Sequence, residues 1–398
     1  MRRTSRRSPA VAASLVVLAS VVLAACGSTS GKSPAARSTV YRWGVVGNRG
    51  AITQLERDTP TAIAGIKGNV VQIATSNSDG YALTSTGAVY GWGVNSYGEL
   101  GDGHLTPHET KAVKVAFPAG IKITLLANPM PFDAGLAIDS TGHVWGWGLN
   151  YDGDLCLSGL IESRPLELPL TDVTLTTGAR THALFDSHDT VYACGSGDAG
   201  ELGNGSTAST GTPIPVTGLP RGVKVTALTS SWEGSGALLA NGEYYDWGYD
   251  ASGQLGDGTT TDSAVPVEVT LPIPVTQVFQ GGSGPKNGQT IAILEDQSVW
   301  AWGGNDRGQL GNGTKTSSDA PIQVHVPKGV TFMKVSSGGY ASYAIDQAGR
   351  LWAWGDNRSG QLGIGSGRSS EKLPVDVGIH FSQVSSTAQN VAGLEERS

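Results

Sequence analysis

Few residues of this chain have types that could do chemistry, and most fail on spacing. Gly195 to Gly200 read GSGDAG, the G-x-G-x-x-G pattern that cradles a pyrophosphate when a strand feeds the N-terminus of a helix. Here it runs into Glu201-Leu202-Gly203-Asn204-Gly205, a set of turn formers, so no nucleotide site is expected. His104 and His108 stand four apart, but Pro107 between them removes the helix that would aim both at one metal. Asp152 with Asp154, and Asp257 with Asp262, are rich in oxygen yet lack the ligand spacing of a calcium loop. They read as solvated turn residues. No serine, cysteine or carboxylate stands with a base and an orienting group at interpretable spacing. The expectation is a protein without catalytic residues, metal or cofactor.

The three cysteines divide into one and two. The chain opens MRRTSRRSPAVAASLVVLASVVLAAC, four arginines ahead of an apolar run from Ala10 to Ala25 that is too short and wrongly flanked for a stable span. Residues 1–25 therefore read as an export signal. Leu23-Ala24-Ala25-Cys26 resembles the lipobox of bacterial lipoproteins, which implies that Cys26 is lipidated and becomes the first mature residue; ordinary secretory cleavage near Ala25 is the alternative. Two acyl chains, at about 0.8 kcal/mol per buried CH₂, anchor a protein stably. The expected location is extracytoplasmic, on the cell membrane without spanning it. Arg6-Arg7 leaves the export route open between general secretion and twin-arginine transport. Residues 26–38 carry the lipidated cysteine and a Gly/Ser-rich tether with a reach of about 20 Å. Cys156 and Cys194 remain, and an exported protein can form disulfides. Strand geometry decides whether these two bridge, and the sequence leaves both states open.

Formal charge is −7, and loss of the signal's four arginines takes it to about −11. No basic stripe is present, so nucleic acid drops out as a partner. Glycine, at 57 residues, is abundant and charged residues make up only 15%, a mixture that fits many short strands and tight turns.

The elements that would position a site come from repetition. WAWGGNDRGQLGNG (300–313) and WAWGDNRSGQLGIG (352–365) are near-copies. Aligned on the Trp-Gly step, seven units appear at Trp43, Trp92, Trp147, Cys194, Trp247, Trp302 and Trp354, spaced 49, 55, 47, 53, 55 and 52. A period of this size signals a repeat architecture. Each unit reads as four short strands, for example Val70–Ala74, Tyr81–Thr84, Ala88–Gly93 and Ala112–Val115, with turn residues between them. In the third strand Tyr90 and Trp92, or Trp352 and Trp354, alternate with small residues and share a face. One sheet cannot bury that face alone, but radial stacking against the next sheet can, and it leaves few exposed edges.

The expected fold is an all-β, seven-bladed β-propeller of four-stranded antiparallel blades over residues 39–398. STVYRWG (38–44) lacks an upstream hairpin partner and NVAGLEERS (390–398) lacks a following Trp-Gly strand, so the ring should close by pairing the N- and C-terminal strands in blade 1. These phased units resemble the regulator of chromosome condensation repeat family, which implies the same seven-bladed fold. Blade 1 has the degenerate WGVVGNRGAI (43–52), blade 3 has LCLSG (155–159) where Leu-Gly is expected, and blade 4 has Cys194 in place of tryptophan.

The connections between first and second strands should gather at one end of the ring, and they differ from blade to blade: NPMPFD (128–133), GARTH (178–182), SSWEG (230–234), GGSGPKNGQ (281–289) and SGGYAS (337–342). Variable loops on a rigid frame suit recognition. Phe132, Arg180, Trp232, Lys286 and Tyr340 supply the aromatic and basic types favoured at interface hot spots. His182, at the start of an inner strand, joins them as a candidate, with packing as its other reading. The expectation is a monomeric, membrane-anchored, non-enzymatic scaffold that binds a protein or cell-envelope ligand. Resemblance to secreted bacterial propellers that block β-lactamases implies an alternative, an inhibitor of an extracellular enzyme. The family's eukaryotic namesake implies a third, guanine-nucleotide exchange, which an exported location disfavours.

Overall fold

The computed structural model describes residues 38–46, 55–282, 284, 287–365 and 367–396. The described strands form seven four-stranded antiparallel sheets arranged as a ring. Blade 2 shows the plan: β3 (Val70–Thr75), β4 (Asp79–Thr84), β5 (Val89–Asn95) and β6 (Thr106–Lys114) follow one another as a meander from the channel outward. Every residue of β4 and β5 is buried, because neighbouring blades cover both faces of the middle strands. The outer strand starts at Thr106, earlier than the Ala112 expected from its apolar residues. An edge strand half in water needs no apolar run, and it tolerates Pro107 because an edge position need not donate an N–H.

Blade 1 is composite. β1 (Ser38–Val46) and β2 (Leu55–Ala62) come from the start of the chain, and β27 (Gln383–Thr387) and β28 (Asn390–Glu396) from its end, in the order β2-β1-β28-β27. The register of β1 on β28 runs from Ser38 opposite Glu396 to Gly44 opposite Asn390. Tyr41 Oη donates to Glu395 Oε2 across it at 3.1 Å. Ring closure through the two termini is thus as the repeats predict.

The seams between blades explain the Trp-Gly and Leu-Gly steps together. Trp147 of blade 3 is fully buried, and its Nε1 donates to the Glu99 carbonyl of blade 2 at 2.8 Å. The indole lies so close to Gly101 that a Cβ there would sit 2.8 Å from Trp147 Cδ1, and Gly101 has φ +62°. Glycine satisfies both the left-handed backbone and the close approach. Trp43, Trp247 and Trp354 repeat the bond, each donating at 2.8 Å to the carbonyl of Gln361, Glu201 and Gln309.

At the seam between blades 3 and 4 both partners change. Cys194 holds the tryptophan's place, Cys156 the glycine's at φ +52°, and a disulfide joins them with Cα atoms 5.7 Å apart. The two departures from the repeat are one replacement, in which a covalent link stands where an indole would pack.

Candidate functional site

The connections between first and second strands collect at one mouth of the central channel. Hydroxyl pairs tie blade to blade at three junctions around it: Thr75 Oγ1 to Ser385 Oγ at 3.0 Å, Thr177 Oγ1 to Ser230 Oγ at 2.9 Å, and Ser336 Oγ to Ser386 Oγ at 3.1 Å. Above them, the blade 3 connection reaches over both neighbouring blades. Met130 N donates to Thr75 O and Phe132 N to Ala179 O, both at 3.1 Å, while Asn77 N donates to Phe132 O at 2.9 Å. Ser385 Oγ of blade 1 donates to Asn128 Oδ1 at 2.8 Å.

This bracing brings three of the expected residues together. The Arg180 guanidinium carbon stands 3.8 Å from the Trp232 ring centroid and 5.2 Å from that of Phe132. The two rings meet edge to face with centroids 5.5 Å apart. Thr181 Oγ1 donates to the Trp232 carbonyl at 3.1 Å, fixing the blade 5 connection against that of blade 4. Phe132 and Trp232 are half-buried and Arg180 is exposed, so the stack faces solvent while its base is held.

Carboxylates surround it. Burial pushes Asp133 up to about 6, opposed by its bond from Asn77 and by Arg180. Burial also raises Asp152 and Glu233, again against the pull of Arg180. Asp133 and Glu233 adjoin Phe132 and Trp232 in sequence, a signal the aromatic residues overshadow. Gln280, Asn77 and Met130 also line the mouth, and nothing local in the sequence marks them. The cavity there holds about 30 Å³, an order of magnitude below the roughly 300–1,000 Å³ of a small-molecule pocket. A side-chain tip fits it; a metabolite does not.

The other candidates lie elsewhere. His182 is fully buried, with Nε2 2.7 Å from Ser235 Oγ of blade 5, and Ser235 Oγ donates to the Glu201 carbonyl at 2.8 Å. Burial lowers its pKa to about 4, so it is a neutral seam residue with no surface to offer a ligand. Tyr340 does not join the stack; its carbonyl accepts from Asp356 N at 2.8 Å. Lys286 and Cys26 lie outside the described residues. Gly195 to Gly200 turn back on themselves, with Gly200 N donating to Gly197 O at 2.7 Å, and Gly197 to Gly205 form turns and bends with no helix.

Seven four-stranded blades closed into a ring, with one braced aromatic mouth, define a seven-bladed β-propeller. The Regulator of chromosome condensation (RCC1) repeat matches at residues 188–238, 241–284, 296–345 and 348–393. The chain is a seven-bladed β-propeller, four stretches of which match the RCC1 repeat. It is 28% identical over 323 residues to the ultraviolet-B receptor UVR8 of Arabidopsis thaliana, covering 78% of this chain and 70% of that protein. It is also 28% identical over 311 residues to the E3 ubiquitin-protein ligase HERC2 of Mus musculus, where it spans 75% of this chain but only 6% of the relative. Human WBSCR16 superposes with a TM-score of 0.77 at 20% identity, covering 90% of this chain and 98% of that one. Prp20p of Saccharomyces cerevisiae superposes with a TM-score of 0.74 at 20% identity, covering 92% and 93%.

Proposed function

We propose that this protein is a non-catalytic scaffold, lipid-anchored outside the cytoplasm through Cys26, that docks a protein or cell-envelope ligand on the channel mouth. The observation that carries the docking reading is the stack of Phe132, Arg180 and Trp232, drawn from three blades, exposed above and immobilised below. Such rigid aromatic and arginine clusters concentrate binding energy at interfaces. Among similar structures, that of Prp20p is described by its binding to Gsp1p and histones, so a propeller of this type serves as a protein-binding frame. The disulfide supports an oxidising compartment, and the basic and apolar opening residues support export.

Capture of binding proteins from envelope extracts tests the reading, with wild-type chain compared with Phe132→Ala and Trp232→Ala. A specific partner should be lost from both variants while their thermal unfolding changes little. Equal capture by all three proteins would discard the mouth as the docking face.

A further inference from the structure

Among the described residues the mouth carries more carboxylates than its one arginine balances. Asp133, Asp152 and Glu233 all act on Arg180, while Asp152 and Glu233 are further repelled by Asp198, and Glu233 by Asp262. Among the described residues the charge on this side of the mouth is therefore net negative, which opposes an anionic ligand and attracts a cation. A second observation is independent of that charge. Gln280 lines the same cavity, only 4% exposed, and its Nε2 donates to Asp246 Oδ1 at 2.7 Å. Its Oε1 has no partner among the described residues. A buried carbonyl oxygen left in that state is destabilising until an N–H reaches it.

The walls select among cations. Phe132 and Trp232 present ring faces and edges, and they already hold one guanidinium in contact. A planar guanidinium stacks on such rings and still offers five N–H donors at its rim, whereas an ammonium is a strongly hydrated point charge. The limited free volume admits a side-chain tip and excludes a larger group. From these features we infer that the mouth takes an arginine side chain from a basic segment of a partner protein, and that Arg180 holds the aromatic walls until it is displaced. In the occupied state Phe132 and Trp232 flank the incoming guanidinium, Gln280 Oε1 accepts from it, and Asp133 and Glu233 balance its charge. The inference rests on the docking reading above and adds the chemistry of the partner.

The test titrates the full chain with a capped tri-arginine peptide and with matched tri-lysine and tri-glutamate peptides, read by calorimetry and by tryptophan fluorescence. Tri-arginine should bind, tri-lysine more weakly, and tri-glutamate not at all. Arg180→Ala removes the internal competitor and should tighten tri-arginine binding on the order of tenfold. Gln280→Leu and Trp232→Ala should weaken it by a similar factor, with thermal unfolding of each variant confirming the fold. Trp232→Phe, which keeps an aromatic wall, should retain most of the affinity. The inference is wrong if tri-arginine does not bind, if tri-glutamate binds as well, or if Arg180→Ala abolishes binding. A partner captured in a Phe132-dependent way that tri-arginine fails to displace would sink the arginine chemistry and leave the docking reading standing. Capture indifferent to Phe132 and Trp232 would sink the docking reading itself.

Discussion

Cys156 and Cys194, bonded across the seam between blades 3 and 4 with Cα atoms 5.7 Å apart, occupy the positions that a glycine and a tryptophan hold at the neighbouring seams. The bond closes 38 residues of sequence separation, and losing a native disulfide costs about 2–5 kcal/mol. Cys194→Ser, or reductant on the wild type, should therefore lower the melting temperature by several degrees in a calorimetric scan. The paired change Cys156→Gly with Cys194→Trp restores the indole seam. It should recover much of that loss and make the melting temperature indifferent to reductant.

A second prediction concerns Asp250. In blades 2, 3, 6 and 7 the matching residue is Asn95, Asn150, Asn305 or Asn357, whose Oδ1 accepts from a leucine N–H while Nδ2 donates to loop carbonyls. Asp250 keeps the first bond, from Leu255 N at 2.9 Å, but ionised it has no donor for the second. Burial pushes its carboxyl up to about 6, with Asp257 and Asp262 acting in the same sense. A folded-state pKa above the unfolded one means the native state holds the proton longer, so stability falls as pH rises from about 4 to about 6. Asp250→Asn should raise the melting temperature at pH 7.5 and change it little at pH 4.

Glu99 and Glu201 carry a parallel prediction. Their Oε2 atoms accept from Tyr97 N and Ala199 N at 2.8 and 2.9 Å, as Gln309 and Gln361 do through Oε1 from Arg307 N and Ser359 N. Burial pushes both carboxyls up to about 7. Stability supplied by their protonated forms is complete below about 4.5 and fades as pH climbs to about 7. Glu99→Gln and Glu201→Gln should each melt higher than wild type at pH 8 and together with it near pH 4, as differential scanning fluorimetry would reveal.

Tryptophans at seams and at the mouth should behave differently. Trp147 is fully buried, with Tyr81 and Phe117 edge-on at 5.8 and 5.5 Å. Trp147→Ala should cost about 3–5 kcal/mol in denaturant unfolding. Trp232 is half-buried, held by the edge of Phe132 and by the Arg180 guanidinium, contacts together worth about 1–2 kcal/mol. Trp232→Ala should cost about that much, and a larger loss would mean the residue is structural.

The membrane proposal has its own measurement. Cys26→Ser removes the thiol that the lipid would occupy, and the protein should move from the detergent phase to the aqueous phase on phase partition. Retention in the detergent phase by the variant would exclude a Cys26 lipid anchor.

The blades were legible in the sequence because each must bury the same indole, so Trp43 through Trp354 recur at a nearly constant spacing that no local composition disguises. Strand pairing of the termini followed from the same arithmetic, since β1 lacks the strand that should precede it in its blade and β28 the one that should follow it. The outer strand at Thr106–Lys114 was less visible, because water on one side relaxes its residue pattern. Harder still was the mouth. Arg180 meets Phe132 and Trp232 only because connections from blades 4, 3 and 5 are laid side by side, a relation between positions about fifty residues apart that periodicity does not encode. His182 looks the same in sequence whether it faces solvent or a seam; its partner Ser235 sits one blade away. Cys156 and Cys194 were separately conspicuous as departures, and only the backbone shows that one departure answers the other.

The joining of β1 to β28 also governs how the molecule comes into being. Six blades are made of neighbouring chain and can assemble as soon as their own residues emerge. The seventh waits for the last strand, because β1 and β2 are joined to β27 only through Asn390 to Glu396. Until that moment the structure is an arc with two raw ends, and the loss entropy exacts for bringing such distant segments together falls at the final step. A chain cut just short of its last strand therefore forfeits far more than the handful of residues removed, since the earliest-made strand keeps only one of its two flanking partners and the circle stays open.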